Sequence, residues 1–348
     1  EESNFCISPL SASFCLGMVL NGANGNTYTE LQEALGYEGL TNEEINAYAQ
    51  MMQTELPKLD GRTVFMNANS MWIKDDFQML EPFVKTNQTY YNAEVYNEPF
   101  NMETVDKINH WCANKTNDLI PKMLETISPN TLACLINAIY FKGVWKMEFD
   151  KGDTKDKPFH LKDGSEIKVP TMKQQATNYY YGDEQVSVVE LPYGNGAFSL
   201  VLFMPSDKKK TSLDELIADL DADRWNQCMS NLSSYSFDLY LPRFTMESSM
   251  DLTDVMRTLG VKDAFKSEAD FTNISTEQPL FIGLIKQNTF IKVDESGTEA
   301  AAVTIVGMDT SALPPATTLK ELRFDHPFGY VLKENSTGAI LFAGRVDH

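Results

Sequence analysis

Histidine, cysteine and carboxylate side chains are those with which this chain could do chemistry, and their spacing argues against catalysis. Of four histidines, His110 falls in a helical pattern, His160 follows Phe159 and His326 precedes Pro327, and none has a nucleophile motif beside it. A general base needs a partner within hydrogen-bond reach, so His326, beside the apolar Phe328-Gly329-Tyr330, reads as structural. No GxSxG elbow, HExxH pair or phosphate-binding glycine loop occurs. The five cysteines, Cys6, Cys15, Cys112, Cys134 and Cys228, lack CxxC spacing, so neither a zinc site nor a disulfide framework is indicated. Cys15 and Cys134 lie in apolar runs and read as buried free thiols, which leaves the redox compartment open. No catalytic residue, metal ligand or cofactor is assigned, and a non-enzyme is expected.

The segment most suited to carry function is Asp294 to Val306, an acidic, glycine-marked stretch ahead of small and β-branched residues. It fits two structures. Ser296-x-x-Glu299 reads as a capping box opening an alanine-rich helix, whereas Val303-Thr304-Ile305-Val306 reads as a strand. Local pattern alone favours the short helix, running into a linker at Leu313-Pro314-Pro315. A segment compatible with two structures is a candidate switch.

Elements that would position this segment are mixed. Helix starts are marked by Ser8 before Pro9, by Thr27-x-x-Glu30 and by Thr41-x-x-Glu44. A middle helix places Val105, Ile108, Cys112 and Leu119 on one face. Strand-like runs occur at Thr63 to Phe65, Phe198 to Phe203, Phe237 to Leu241 and Phe281 to Ile285. With 43% hydrophobic residues in 348 positions the chain can build a large core, and no internal linker divides it. A net charge of −20 argues against nucleic acid and anionic membrane surfaces. No run reaches the ~20 apolar residues of a membrane span. Lys208-Lys209-Lys210, beside Pro205-Ser206-Asp207, reads as a solvated turn.

Phe324-Asp325-His326-Pro327-Phe328 and Gly338 to Val346 resemble the C-terminal strands of the serpins, and Glu295-Ser296-Gly297-Thr298-Glu299-Ala300-Ala301-Ala302 resembles the hinge of their reactive centre loop. Ser8-Pro9-Leu10-Ser11 is similar to the start of the serpin helix under the main sheet. Asn137-Ala138-Ile139-Tyr140-Phe141-Lys142-Gly143-Val144-Trp145 is similar to the third strand of that sheet. Glu190-Leu191-Pro192-Tyr193, Phe203-Met204-Pro205, Leu241-Pro242-Arg243-Phe244 and Leu259-Gly260-Val261 also fall in serpin order, so the resemblance spans almost the whole chain. It implies an α+β serpin fold: early helices packed on a large central mixed sheet, two smaller sheets, and an exposed reactive centre loop at about 295–318. One domain over 1–348 is expected. Serpins usually carry a long first helix before the Ser-Pro motif, which the chain is expected to lack. Any targeting signal would lie upstream, and the resemblance implies an extracellular or cell-envelope monomer.

The implied activity is suicide inhibition of a serine protease: the loop is cleaved, the protease stays acyl-linked, and the freed segment enters the large sheet as a strand. Insertion requires alternate hinge side chains to be small and uncharged. Thr298, Ala300, Ala302 and Thr304 satisfy this, with Glu299, Ala301 and Val303 on the opposite parity and Gly297 supplying backbone freedom. The family's usual spacing from the hinge glutamate, Glu295, places the scissile bond between Ser311 and Ala312. Met308, Asp309, Thr310 and Leu313 are then the specificity residues. A small residue before the bond suits elastase-like or subtilisin-like targets, and no Arg or Lys lies between Val293 and Leu319 to suit a trypsin-like one. The resemblance places Ser8, Ser11, Asn137 and Gln287 in the shutter, where many serpins have histidine at the position of Gln287, and Trp145 in the breach. Heparin-dependent serpins carry basic residues on an early helix where this chain has Glu43 and Glu44, so no heparin cofactor is expected. The alternatives are a non-inhibitory serpin binding a ligand or protein, and an inhibitor of cysteine proteases.

Overall fold

Pro9–Leu20 is apolar around its whole circumference, and such a helix must be enclosed by other elements. A computed structural model describes residues 4–128, 130–277, 279–298 and 317–348. In chain order the elements are β1 (Phe5–Ile7), α1 (Pro9–Leu20), α2 (Gly25–Ala34), α3 (Asn42–Glu55), β2 (Thr63–Lys74), α4 (Glu81–Tyr91), β3 (Glu94–Glu98), α5 (Met102–Lys115), β4 (Ala133–Val144), β5 (Lys155–His160), β6 (Glu166–Gly182) and β7 (Val186–Pro192). There follow β8 (Phe198–Pro205), α6 (Leu213–Asp219), α7 (Ala222–Ser230), β9 (Ser233–Pro242), β10 (Phe244–Asp251), α8 (Thr253–Thr258), β11 (Ile282–Asp294), β12 (Gly297–Thr298), β13 (Thr317–Arg323), β14 (Phe328–Glu334) and β15 (Ile340–Val346).

A mixed six-stranded sheet runs β10-β11-β12-β4-β2-β3, and a second sheet runs β1-β15-β14-β8-β7-β6-β9-β13 with β5 on β6. The two smaller sheets expected from sequence are thus continuous through the long β6, which pairs with β7 at Tyr179–Gly182 and with β9 at Thr171–Tyr180. The main core lies between the sheets around α1, where Phe14, Cys15, Leu16, Met18, Val19 and Leu20 are buried. Odd-numbered Leu135, Ile139 and Phe141 of β4 face this core, while Cys134, Ile136 and Ala138 face a second core under α5. Strand alternation therefore sets which residues of β4 see which layer. A third core packs α6 and α7 against β7, β8 and β14.

Local signals were largely sound. Ser8 caps α1 by accepting from the Ser11 N–H at 3.2 Å, and Thr41 and Glu44 form the expected capping box on α3. Thr27 does not start a helix: α2 begins at Gly25 with Asn24 as N-cap, and the Thr27 hydroxyl accepts from the Asp270 N–H instead. Val105, Ile108 and Cys112 are buried on α5, but Leu119 lies beyond its end and Ile120 is the buried residue there. The helical reading of Ser296 fails as well. Its N–H donates to Asp294 Oδ1, closing a tight turn from which Gly297–Thr298 continues as strand. All five cysteines are buried free thiols, and burial pushes Cys6 to about 11 and Cys15 and Cys112 to about 12. Burial thus keeps these three thiols protonated near neutral pH, whereas the thiolate is the nucleophilic form.

Candidate functional site: a partly opened sheet

Strands β4 and β11 are parallel neighbours, paired directly from Ala133 opposite Ile282 to Tyr140 opposite Phe290. Above Tyr140 they part. After the turn at Glu295-Ser296 the chain reverses, and β12 lies between them, with Thr298 opposite both Val293 and Gly143, and Gly297 opposite Asp294 and Val144. One end of the sheet therefore admits an antiparallel strand, while the rest of the β4–β11 seam is closed.

Aromatic packing and backbone hydrogen bonds hold this open end. The Trp145 indole stacks on Tyr193 at 4.3 Å, and its Nε1–H donates to Asp294 O at 2.8 Å. Main-chain N–H groups of Trp145 and Phe149 donate to Ser296 O and Glu295 O, pinning the turn. Thr298 is fully buried with its hydroxyl 2.6 Å from Tyr193 Oη. Gly297 has φ +144°, and a Cβ there would run into Gly143 O and lie 2.8 Å from Val144 Cα, so only glycine fits. Glu295 is 2% exposed. Its carboxylate accepts from Arg243 Nε at 2.7 Å and from the Thr154 hydroxyl. Burial alone would raise its pKa, but the hydrogen bonds from Arg243 and Thr154 outweigh it and hold the group below the usual carboxylate range.

Further down the seam, Ser8, Ser11, Asn137 and Gln287 come together in one buried polar network. Gln287 Oε1 accepts from the Ser8 N–H at 2.9 Å, while its Nε2 donates to Ser8 O at 3.0 Å and to Asn137 Oδ1 at 3.4 Å. A carboxamide can both donate and accept, so both polar ends of Gln287 find partners at the position where many serpins have histidine. Asn137 Nδ2 donates to Asn67 Oδ1 at 3.1 Å and Asn69 Oδ1 at 2.8 Å, and the Ser11 hydroxyl reaches Asn67 Oδ1. Gln287 thus links α1 to β11, and Asn137 links β11 to β4 and β2.

Sequence reasoning missed Asn67 and Asn69, which sit in a strand pattern without any motif. Tyr193 and Arg243 were noticed only as parts of longer matches. Their pairing with Thr298 and Glu295 depends on folding across 105 and 52 positions, which no local signal reports. Glu299, Ala300, Ala301, Ala302, Met308, Asp309, Thr310, Ser311, Ala312 and Leu313 lie outside the described residues.

Comparison with known proteins agrees with this architecture. The family profile described as Serpin (serine protease inhibitor) matches residues 1–348. Human neuroserpin is 32% identical over 365 residues, covering 100% of this chain and 87% of the relative. The leukocyte elastase inhibitor of Sus scrofa is 32% identical over 354 residues, covering 99% and 92%. The crystal structure of a thermophilic serpin, tengpin, in the native state superposes with a TM-score of 0.91 at 32% identity, covering 100% of this chain and 89% of that one. A profile spanning every residue, relatives of this identity and a sheet opened at one end by a two-residue strand lead to one conclusion: the chain belongs to the serpin family.

Proposed function

We propose that the protein is a single-domain, single-use inhibitor of serine proteases, whose loop is cleaved between Ser311 and Ala312 and then fills the β4–β11 seam. The observation that carries this reading is β12, a two-residue strand between parallel neighbours whose register continues downward. Continuing that ladder by one residue per step would bring Ala300 opposite Phe141 and Ile291, Ala302 opposite Ile139 and Thr289, and Thr304 opposite Asn137 and Gln287. On this side the small hinge residues would meet the main core without burying an ion. On the other side Glu299 would stand opposite Lys142 and Lys292, two cations suited to its carboxylate. Loop entry would require the Ile282–Phe290 pairing to part, and the Gln287 network is what would have to yield.

Small residues at the proposed bond support an elastase-like or subtilisin-like target, with Met308, Asp309, Thr310 and Leu313 setting preference. Helix α3 begins with Glu43 and Glu44 and contains no Lys or Arg, which supports a heparin-independent mode. Secretion to an oxidising compartment is compatible with the free thiols, since each is buried. Incubation with elastase, subtilisin, trypsin and a papain-like protease tests the proposal. A denaturing-gel complex with elastase or subtilisin and mass-spectrometric cleavage at Ser311–Ala312 are expected. Clean loop cleavage with full protease activity would instead support a non-inhibitory serpin, and a stable complex with the papain-like enzyme alone would reassign the target class.

A further inference from the structure

Two of the four histidines meet at a corner remote from the opened sheet. His160 ends β5, and His326 lies between β13 and β14. Their rings are 4.6 Å apart between centroids, and the His160 N–H donates to Asp325 O at 2.8 Å, which clamps the two segments together. One nitrogen of each imidazole and one carboxylate oxygen of Asp325 all lie within 4.8 Å of one another. His326 Nδ1 is 2.8 Å from Asp325 Oδ1, and His160 Nδ1 is 3.6 Å from Glu166 Oε2. Glu166, which is not a member of the cluster, is thereby placed to orient the His160 ring, while Asp325 meets His326 directly as a member of the cluster. The corner borders an open cavity of about 380 Å³ whose lining includes both imidazoles but also Lys162, Lys208, Lys209 and Lys210, so an ion entering from solvent must pass a basic rim.

From this geometry we infer a binding site for a divalent d-block cation of the zinc class, held by His160, His326 and Asp325 with water completing the coordination. Two imidazoles and a carboxylate suit Zn²⁺ or Co²⁺ rather than Ca²⁺ or Mg²⁺. Lys208 is the competitor: its ammonium donates to Asp325 Oδ1 and to Arg323 O, and the ion must share or displace that contact. Occupancy ties the β5–β6 hairpin to the chain just after β13, the strand that follows the proposed bait segment. The effect of the ion is thus to stiffen the C-terminal anchor of that segment. Sequence alone gave no sign of it, because His160 lies far from Asp325-His326 in the chain and the motif around the latter pointed to strands and not to a metal.

Isothermal titration with ZnCl₂ and Co²⁺ absorption spectroscopy test the site on wild type, His160→Ala, His326→Ala, Lys208→Met and His110→Ala. One ion per chain is expected for wild type and His110→Ala, at least about tenfold weaker binding in each of His160→Ala and His326→Ala, and binding in Lys208→Met at least as tight as wild type. Matching far-UV circular dichroism and unfolding midpoints without metal show that the variants fold. Absence of one-to-one binding by wild type up to millimolar Zn²⁺ overturns the inference. So do unchanged affinity in both His160→Ala and His326→Ala, or a loss in Lys208→Met or His110→Ala equal to theirs.

Discussion

At Glu295 a carboxylate that is almost completely buried is kept charged by one arginine and one hydroxyl. Because its folded pKa is lowered, its stabilisation is fully present above the unfolded value of ~4.3 and is lost as pH falls through the folded value. Glu295→Gln is expected to cost about 1.5–3 kcal/mol at pH 7, the range for hydrogen bonds to charged groups. The gap from wild type should close as pH falls below about 4, measured by urea unfolding at each pH. Gly297→Ala is expected to expel β12 from the sheet, since its Cβ would meet the β4 backbone at Gly143 and Val144. Loss of amide-exchange protection at Thr298 would report this. On the proposed mechanism Thr298→Arg should leave a protein that is a substrate and not an inhibitor: an unpaired buried cation costs several kcal/mol, so the loop is cut while no covalent complex accumulates on a gel. The identities of Gly297 and Thr298 made them stand out in the sequence, but the partners that make them exacting, Gly143 and Tyr193, could be known only after the sheet had formed.

Among the elements, the junction of α1, β11, β4 and β2 is a polar network inside an apolar sheet. Gln287 contributes three of its hydrogen bonds, two to Ser8 and one to Asn137. Gln287→Leu leaves the Ser8 groups and Asn137 short of partners, and a loss of about 1–3 kcal/mol in urea unfolding is expected. A second expectation concerns the outward face of the seam. If Glu299 comes to rest between Lys142 and Lys292, the double variant Lys142→Ala with Lys292→Ala should lower the thermal midpoint of the loop-cleaved form more than that of the intact form, in paired calorimetric scans. Legibility at this scale followed the range of the interaction. Caps such as Ser8 and the Thr41–Glu44 box are settled within one turn and were readable. The continuity of the smaller sheets through β6, and the insertion of β12 between two strands that also pair directly, are long-range outcomes that no periodicity encodes.

For the whole molecule, the central point is an incomplete sheet. Among the described residues, β12 fills only the uppermost part of the β4–β11 seam, and the two strands pair directly below it. On the proposed mechanism the fold would accept another central strand, so it would be kinetically rather than maximally stabilised, with a lifetime set by the barrier to parting the seam. The family and the fold were legible because motifs in serpin order run the length of the chain, each tied to a turn, strand or cap in the structure. The proposed protease preference was less legible, since the partners that would read residues 308–313 belong to another molecule. Differential scanning calorimetry of intact protein and of protein nicked once in the loop tests the account most directly. Strand entry into the seam predicts a midpoint higher by more than about 10 °C after cleavage, whereas an unchanged or lower midpoint would contradict it.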